Sequence, residues 1–229
     1  AWRVIRGYWD RFQEKVQAKG FYLVGLDIRD YWGILYKKPI SSLADLRNAK
    51  FRSVNAELWV EMTKLYGAIP NPVPYADVYM AFKTGVSVGS LTSVTGLTAA
   101  NWHEVMKCFL DTRLVLSESF MVTSDEWLHS LPEDLRELFI TVSRESEEFN
   151  MKAVLEQYQE AKETMIREGV VFVENDQIDM RELEEKVPAF REEFMKSKGP
   201  EVYRFYRDWI QYVEQTTGRP LGSAPAQEN

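Results

Sequence analysis

The sequence predicts an α/β fold in two lobes tied together by one long helix. The first observation is an alternation beginning at residue 50. A strand over 50–54 is followed by a helix over 55–66 closing at Gly67, a strand over 69–73, a helix over 75–84 closing at Gly85, and a strand over 86–91. Strands separated by helices of about ten residues signal βαβ units and a parallel sheet. The second is a run of apolar residues at 135, 138, 139, 142, 149, 154, 155, 158, 165 and 166, ending at Gly169. An unbroken helix over 132–168 is about 55 Å long at 1.5 Å rise per residue. That exceeds the roughly 35–40 Å width of a domain of this size, so the helix reads as a strut across two lobes. The third is bulk: 229 residues at 45% hydrophobic content supply enough core for one large or two small domains.

The remaining elements follow from local signals. Val4, Ile5, Tyr8, Trp9, Phe12 and Val16 have helical spacing, and Gly20 closes a helix over 1–19. "FYLVGLDI" and "WGILYKK" read as two buried strands. Pro39 interrupts the chain, and Ser42 with Asp45 forms a capping pair for a short helix. Residues 101–110 read as a helix, and "RLVLSESFMV" (113–122) as a strand leaving the βαβ unit. Ser130 and Glu133, with Pro132 between them, mark the start of the long helix. "VVFVE" and helices over 178–195 and 199–215 finish the fold. The predicted organisation is 1–37 as a remnant of lobe one and the crossover, 38–112 as lobe two, and 113–131 as the return to lobe one. Residues 132–215 hold the long helix and the C-terminal helices, and 216–229 is a disordered tail.

Composition excludes several functions. There are 28 basic against 35 acidic residues, net charge -7, with no concentrated basic face to meet a nucleic acid. No apolar run approaches the roughly 20 residues of a spanning helix. The opening "AWRVIRGYWDRF" is already mid-helix, so a mature or truncated product is expected, and the missing signal pattern does not establish a cytoplasmic home. The single cysteine, Cys108, allows no internal disulfide and reads as a buried small residue. His103 and His129 lack metal-ligand spacing. No GxSxG, P-loop or GxGxxG is present, so neither a catalytic group nor a cofactor or metal is expected. Asp77, Glu57 and His103 are the only acid-base candidates.

One position stands out. Phe51-Arg52 sits where a strand ends and a polar turn begins, the end at which open α/β sheets bind ligands. An arginine there is either a strand-end ion pair or an anion anchor.

The string "KKPISSLADLRNAKFRSVNAELWVEMTKLYGAIPNPVPYADVYMAFKTGVSVG" resembles the central signature of the solute-binding proteins of tripartite ATP-independent periplasmic (TRAP) transporters, the DctP type. Lys38-Pro39-Ile40, Asp45-Leu46-Arg47, Phe51-Arg52, Tyr66-Gly67-Ala68, the run from Pro72 to Tyr79, and Lys83-Thr84-Gly85 carry the match. "SDEWLHSLPEDLRELF" and "EGVVFVE" extend it to about residue 215. The resemblance implies a two-lobe periplasmic-binding-protein-like fold, here without the N-terminal units of lobe one. It also implies an extracytoplasmic, periplasmic receptor that closes over a carboxylate solute and hands it to an integral membrane permease. A monomer is expected, a dimer being the alternative.

By the same resemblance Arg52 grips the solute carboxylate, Tyr75 stacks on it and Thr92 supplies a small polar contact. Trp32 and Arg113 stand near two further contact positions. The family's Asp before Gly is replaced by Val88. These departures point away from a sugar acid and toward a carboxylate with an apolar or aromatic body. The alternative function is a receptor-derived sensory or scaffold module that binds another protein. The acidic runs "ESEE" and "RELEEK" read as solvated surface.

Overall fold

The computed structural model describes residues 1–219. The chain forms two compact units. One comprises Ala1–Arg29, Glu118–Leu155 and the chain from Gly199; the other comprises Asp30–Ser117 and Glu156–Lys198.

In the first unit the N-terminal helix is broken. Helix α1 (Trp2–Gly7) and helix α2 (Trp9–Gln17) meet at Tyr8, whose backbone leaves helical geometry at φ -108 and ψ 12. At Gly7 a Cβ would collide with the Tyr212 hydroxyl. That close approach seats the Tyr8 ring against Phe12, Phe205, Trp209 and Tyr212, with centroids 4.9–5.8 Å apart. The last three lie on helix α9 (Pro200–Thr217), so aromatic packing joins the N-terminal helices to α9. The expected tail over 216–229 begins inside this helix, and its part from residue 220 lies outside the described residues.

Glu147 corrects the reading of "ESEE" as solvated surface. Its side chain is 1% exposed and accepts bonds from Arg6 Nε at 2.9 Å, the Leu26 amide at 3.0 Å, the Trp2 indole and Arg6 Nη2. A carboxylate can be buried on this terms because every donor around it is aimed at the charged form. The indole of Trp9 lies over the same guanidinium at 3.9 Å.

Six strands form one sheet, which apart from β1 up to Arg29 and β5 from Glu118 lies in the second unit; its order is β3-β2-β4-β1-β5-β6. The strands are β1 (Phe21–Tyr36), β2 (Lys50–Ser53), β3 (Ile69–Pro72), β4 (Gly89–Ser93), β5 (Cys108–Ser124) and β6 (Val171–Glu174). β2 runs parallel to both β3 and β4, as the βαβ reading predicts, and β5 parallel to β6. β1 lies antiparallel to β4, so the sheet is mixed. "FYLVGLDI" and "WGILYKK" belong to one strand rather than two. The polar stretch between them does not break it because Asp30 is absorbed by bonds from the Thr95 amide at 2.9 Å and hydroxyl at 3.1 Å.

Helices cover both faces. On one, helix α3 (Glu57–Leu65) and helix α8 (Arg181–Ser197) pack over Phe51, Ile34, Leu91 and Leu110. On the other, helix α4 (Val78–Thr84), helix α5 (Val94–Ala99) and part of helix α7 (Glu133–Arg167) cover the sheet, with Phe82 of α4 and Met165 of α7 in one cluster with Leu35 and Phe109. The helix expected over 101–110 does not form. Asn101 turns left-handed at φ 57, a 3-10 turn follows at Trp102–Glu104, and β5 begins at Cys108. The apolar run 108–110 is fully buried, the pattern in which strand and helix look alike.

The long helix is continuous, about 52 Å at 1.5 Å per residue; its residues to Leu155 belong to the first unit and those from Glu156 to the second. Leu138, Phe149 and Leu155, apolar positions of its pattern, are exposed. Ser42 and Asp45 form the expected capping box at the 3-10 turn Leu43–Leu46. The Ser130 hydroxyl instead donates to the Trp127 carbonyl at 2.7 Å, in helix α6 (Asp125–Ser130).

Glu147→Ala leaves Arg6 and the Leu26 amide desolvated without an acceptor, and urea unfolding should register a loss of about 3–5 kcal/mol. Alkaline stability is set partly by Tyr66, whose burial pushes its hydroxyl from 10.0 up to about 12. Because the folded value lies above the unfolded one, its contribution is complete below about pH 10 and is lost as pH rises toward 12. Tyr66→Phe should therefore flatten the stability decline between those pH values by about 2–3 kcal/mol in urea titrations.

Candidate functional site

The candidate site is built on β2, whose four residues alternate across the sheet. Phe51 is fully buried in the core under α3, so Arg52 must point to the opposite face. Register fixes its neighbours: Arg52 lies opposite Asn71 on β3 and Ser90 on β4. The Ser90 hydroxyl donates to the Arg52 carbonyl at 3.2 Å, pinning the backbone beneath the side chain.

The guanidinium is positioned by the Pro72-Val73-Pro74 segment. Two prolines restrict φ and hold Val73 between them in an extended path, and its carbonyl accepts a bond from Arg52 Nε at 3.1 Å. The Trp102 ring lies 5.9 Å from Arg52 Cζ, within cation-π range. Trp102 meets Phe82 edge-on at 5.4 Å and Tyr75 at 5.6 Å. Arg52 is only 7% exposed, and among the described residues no carboxylate pairs with it. Burial pushes its pKa below the ordinary arginine value, with Tyr75 partly offsetting the shift. The ion-pair reading of this arginine is therefore set aside. Its printed hydrogen bond uses Nε, so among the described residues the two Nη groups retain donors of the kind that suit an anion.

Tyr75 begins the 3-10 turn Tyr75–Asp77 and is 63% exposed, an aromatic face beside the guanidinium's own ring partner. Thr92 is two residues beyond Ser90 on β4, hence on the same sheet face as Arg52, and is buried. Trp32 is not brought to this face. It pairs with Ser93, the residue after Thr92, and stacks on Trp59 at 4.1 Å between centroids.

Arg113 is withdrawn into ion pairs. Its backbone is left-handed at φ 52, and its guanidinium bonds Asp111 at 3.1 Å and Glu174 at 3.3 Å. Lys162 holds Glu174 from the other side at 2.6 Å. Burial raises the Asp111 carboxyl pKa despite the pull of Arg113. Of the acid-base candidates, Glu57 pairs with Lys198, Asp77 ends the 3-10 turn and His103 is buried. Cys108 is buried, and burial raises its thiol pKa.

Sequence reasoning missed Trp102. No local pattern marks it, because its place beside Arg52 depends on the turn between α5 and β5 that was read as helix.

The family model described as DctP, bacterial extracellular solute-binding protein family 7, matches residues 6–198. The chain belongs to this family. Curated relatives include a solute-binding protein of Roseobacter denitrificans, 27% identical over 140 residues, which are 61% of this chain and 43% of that protein. The C4-dicarboxylate-binding periplasmic protein of Vibrio cholerae is 27% identical over 166 residues, 65% of this chain and 49% of that one. The chain thus spans less than half the length of either. Among solved structures, a Bordetella pertussis extracytoplasmic solute receptor binding pyroglutamic acid superposes with TM-score 0.80 at 22% identity, covering 90% of this chain and 68% of that one. The periplasmic ectoine-binding protein of Halomonas elongata gives TM-score 0.81 at 19% identity, covering 90% and 68% respectively. These likenesses establish the two-lobe binding-protein fold class.

A buried cation without a carboxylate partner costs stability. Arg52→Met, which keeps the volume and removes the charge, should raise the unfolding free energy of the solute-free protein by about 1 kcal/mol, read from denaturant midpoints.

Proposed function

We propose that this chain captures an organic acid for a TRAP permease, outside the cytoplasm, with Arg52 gripping the solute carboxylate. The single observation that carries this reading is the buried guanidinium. It is fixed through Nε by the Val73 carbonyl, flanked by Trp102, and has no acidic partner among the described residues. Membership of a family of solute-binding receptors supports it, as do relatives and structural neighbours whose names record a C4-dicarboxylate and pyroglutamic acid.

The cation and the aromatic surface gathered at the site suit capture and release of an organic anion. Tyr75 offers the solute body an exposed ring, and Thr92 a hydroxyl on the same face. An acid with an apolar or aromatic body suits that pair better than one needing many hydrogen bonds. Delivery to the permease follows from family membership as a proposal, since this chain spans only part of its relatives.

Thermal-shift screening of the purified chain against a carboxylate library tests the reading. A binding acid at 100 times its Kd should stabilise the protein by about 2.7 kcal/mol, and Arg52→Ala should abolish that gain. Hits that survive the substitution unchanged contradict the assignment of Arg52.

A further inference from the structure

We propose that the second unit carries another binding site, on the sheet face opposite Arg52, for a small neutral aromatic molecule. The inference is independent of the reading of Arg52 as an anion anchor.

The site is a cavity of about 190 Å³ between α3, α8 and β5, and all of its lining residues belong to the second unit. Its floor is Met62 and Tyr66, both buried, on the face of α3 that also carries Leu58 one turn earlier. Val187, Phe190 and Phe194 recur at helical spacing along α8 and form one wall, with Leu114 of β5 in another. Leu58 is exposed, which places it at the mouth.

Two helices packed on a sheet ordinarily fill the space between them, leaving few voids larger than a water molecule. Here Pro188 lies inside α8, where a proline removes one helical hydrogen bond and bends the helix. The α8 part of the lining starts beside it, at Val187, and continues to Met195. The apolar concavity that results is one an apolar guest would remove from water.

Volume and lining chemistry select that guest. A cavity of roughly 150 Å³ with aliphatic and aromatic walls holds one benzene, so this one has room for a ring with a small substituent or a fused partner. Three rings, those of Tyr66, Phe190 and Phe194, line it, the two phenylalanines 5.9 Å apart between centroids, together with the thioethers of Met62 and Met195. Aromatic edges and methionine sulfur make directional contacts with a ring that an alkyl chain does not return. Hydrogen-bonding groups are few and already used. The Tyr66 hydroxyl is bonded with Thr112, and Arg191, the one charged side chain among the described lining residues, is engaged within the chain. Desolvating a charge on the guest is therefore not repaid, which selects a neutral molecule.

The test titrates indole, as the aromatic probe, and 1-hexanol, as the alkyl probe, into the full chain labelled with ¹³C at its methionine methyls. The Met62 and Met195 methyl resonances should shift with indole to a one-to-one end point, while Met80, exposed on α4 at the other face, stays in place. Leu58→Trp fills the mouth with a ring of the protein's own and should weaken indole at least about tenfold, with circular dichroism checking its fold. Arg52→Ala should leave indole affinity unchanged, which separates this site from the anion site. No saturable shift in the unsubstituted protein, or shifts at Met80 alone, overturn the proposal. So does indole affinity that is unchanged in Leu58→Trp, or lost in Arg52→Ala. Tighter binding of 1-hexanol than of indole overturns the aromatic assignment. Met62 and Met195 resonances that follow protein concentration rather than indole assign the cavity to a second copy of the chain and overturn the small-molecule reading.

Discussion

A buried guanidinium without an acid of its own is the constraint around which the second unit is arranged. Folding takes Arg52 out of water and offers it a carbonyl and an aromatic ring, which orient it without neutralising it. Burial disfavours the charged form, and neither the carbonyl nor the ring neutralises it. Contrast Glu147, equally buried in the first unit, where every available donor converges on the carboxylate. Among the described residues, Glu147 is thus a buried charge met by donors, whereas Arg52 has no carboxylate partner. The Glu147 charge fastens α1 to α7; Arg52 is the group to which the proposed function assigns anion capture.

The surrounding structure serves that one side chain. Phe51 is locked in the core, so strand alternation directs Arg52 to the other face. The two prolines around Val73 hold the accepting carbonyl in place, and Phe82 braces Trp102 from its edge. Rigid support of this kind restricts the guanidinium's freedom before any solute binds, reducing the ordering cost of binding.

Much of the architecture was legible in the sequence. Helical and strand periodicities located the βαβ run, and the glycines at 67 and 85 closed their helices as expected. The long helix was read to within a residue at each end because its apolar pattern and flanking Pro132 and Gly169 are local signals. What failed depended on tertiary contacts. Tyr8 breaks the first helix because Gly7 must admit Tyr212, some 200 positions away. Cys108–Leu110 became strand because it is buried between β1 and β6, a context that an apolar run does not encode. At the candidate site, the placement of Arg52 at the end of β2, facing away from Phe51, follows from strand position and alternation. Trp102 was not legible, and Trp32 and Arg113 were assigned without knowledge of sheet face or of Glu174, which arrives from a distant strand.

The most direct measurement is a crystal structure of the chain with an acid selected by thermal shift. The account predicts a carboxylate within hydrogen-bond distance of both Nη atoms of Arg52, with the bond from Nε to the Val73 carbonyl retained. An acid bound elsewhere, or Arg52 turned onto an aspartate or glutamate of the protein itself, would contradict it.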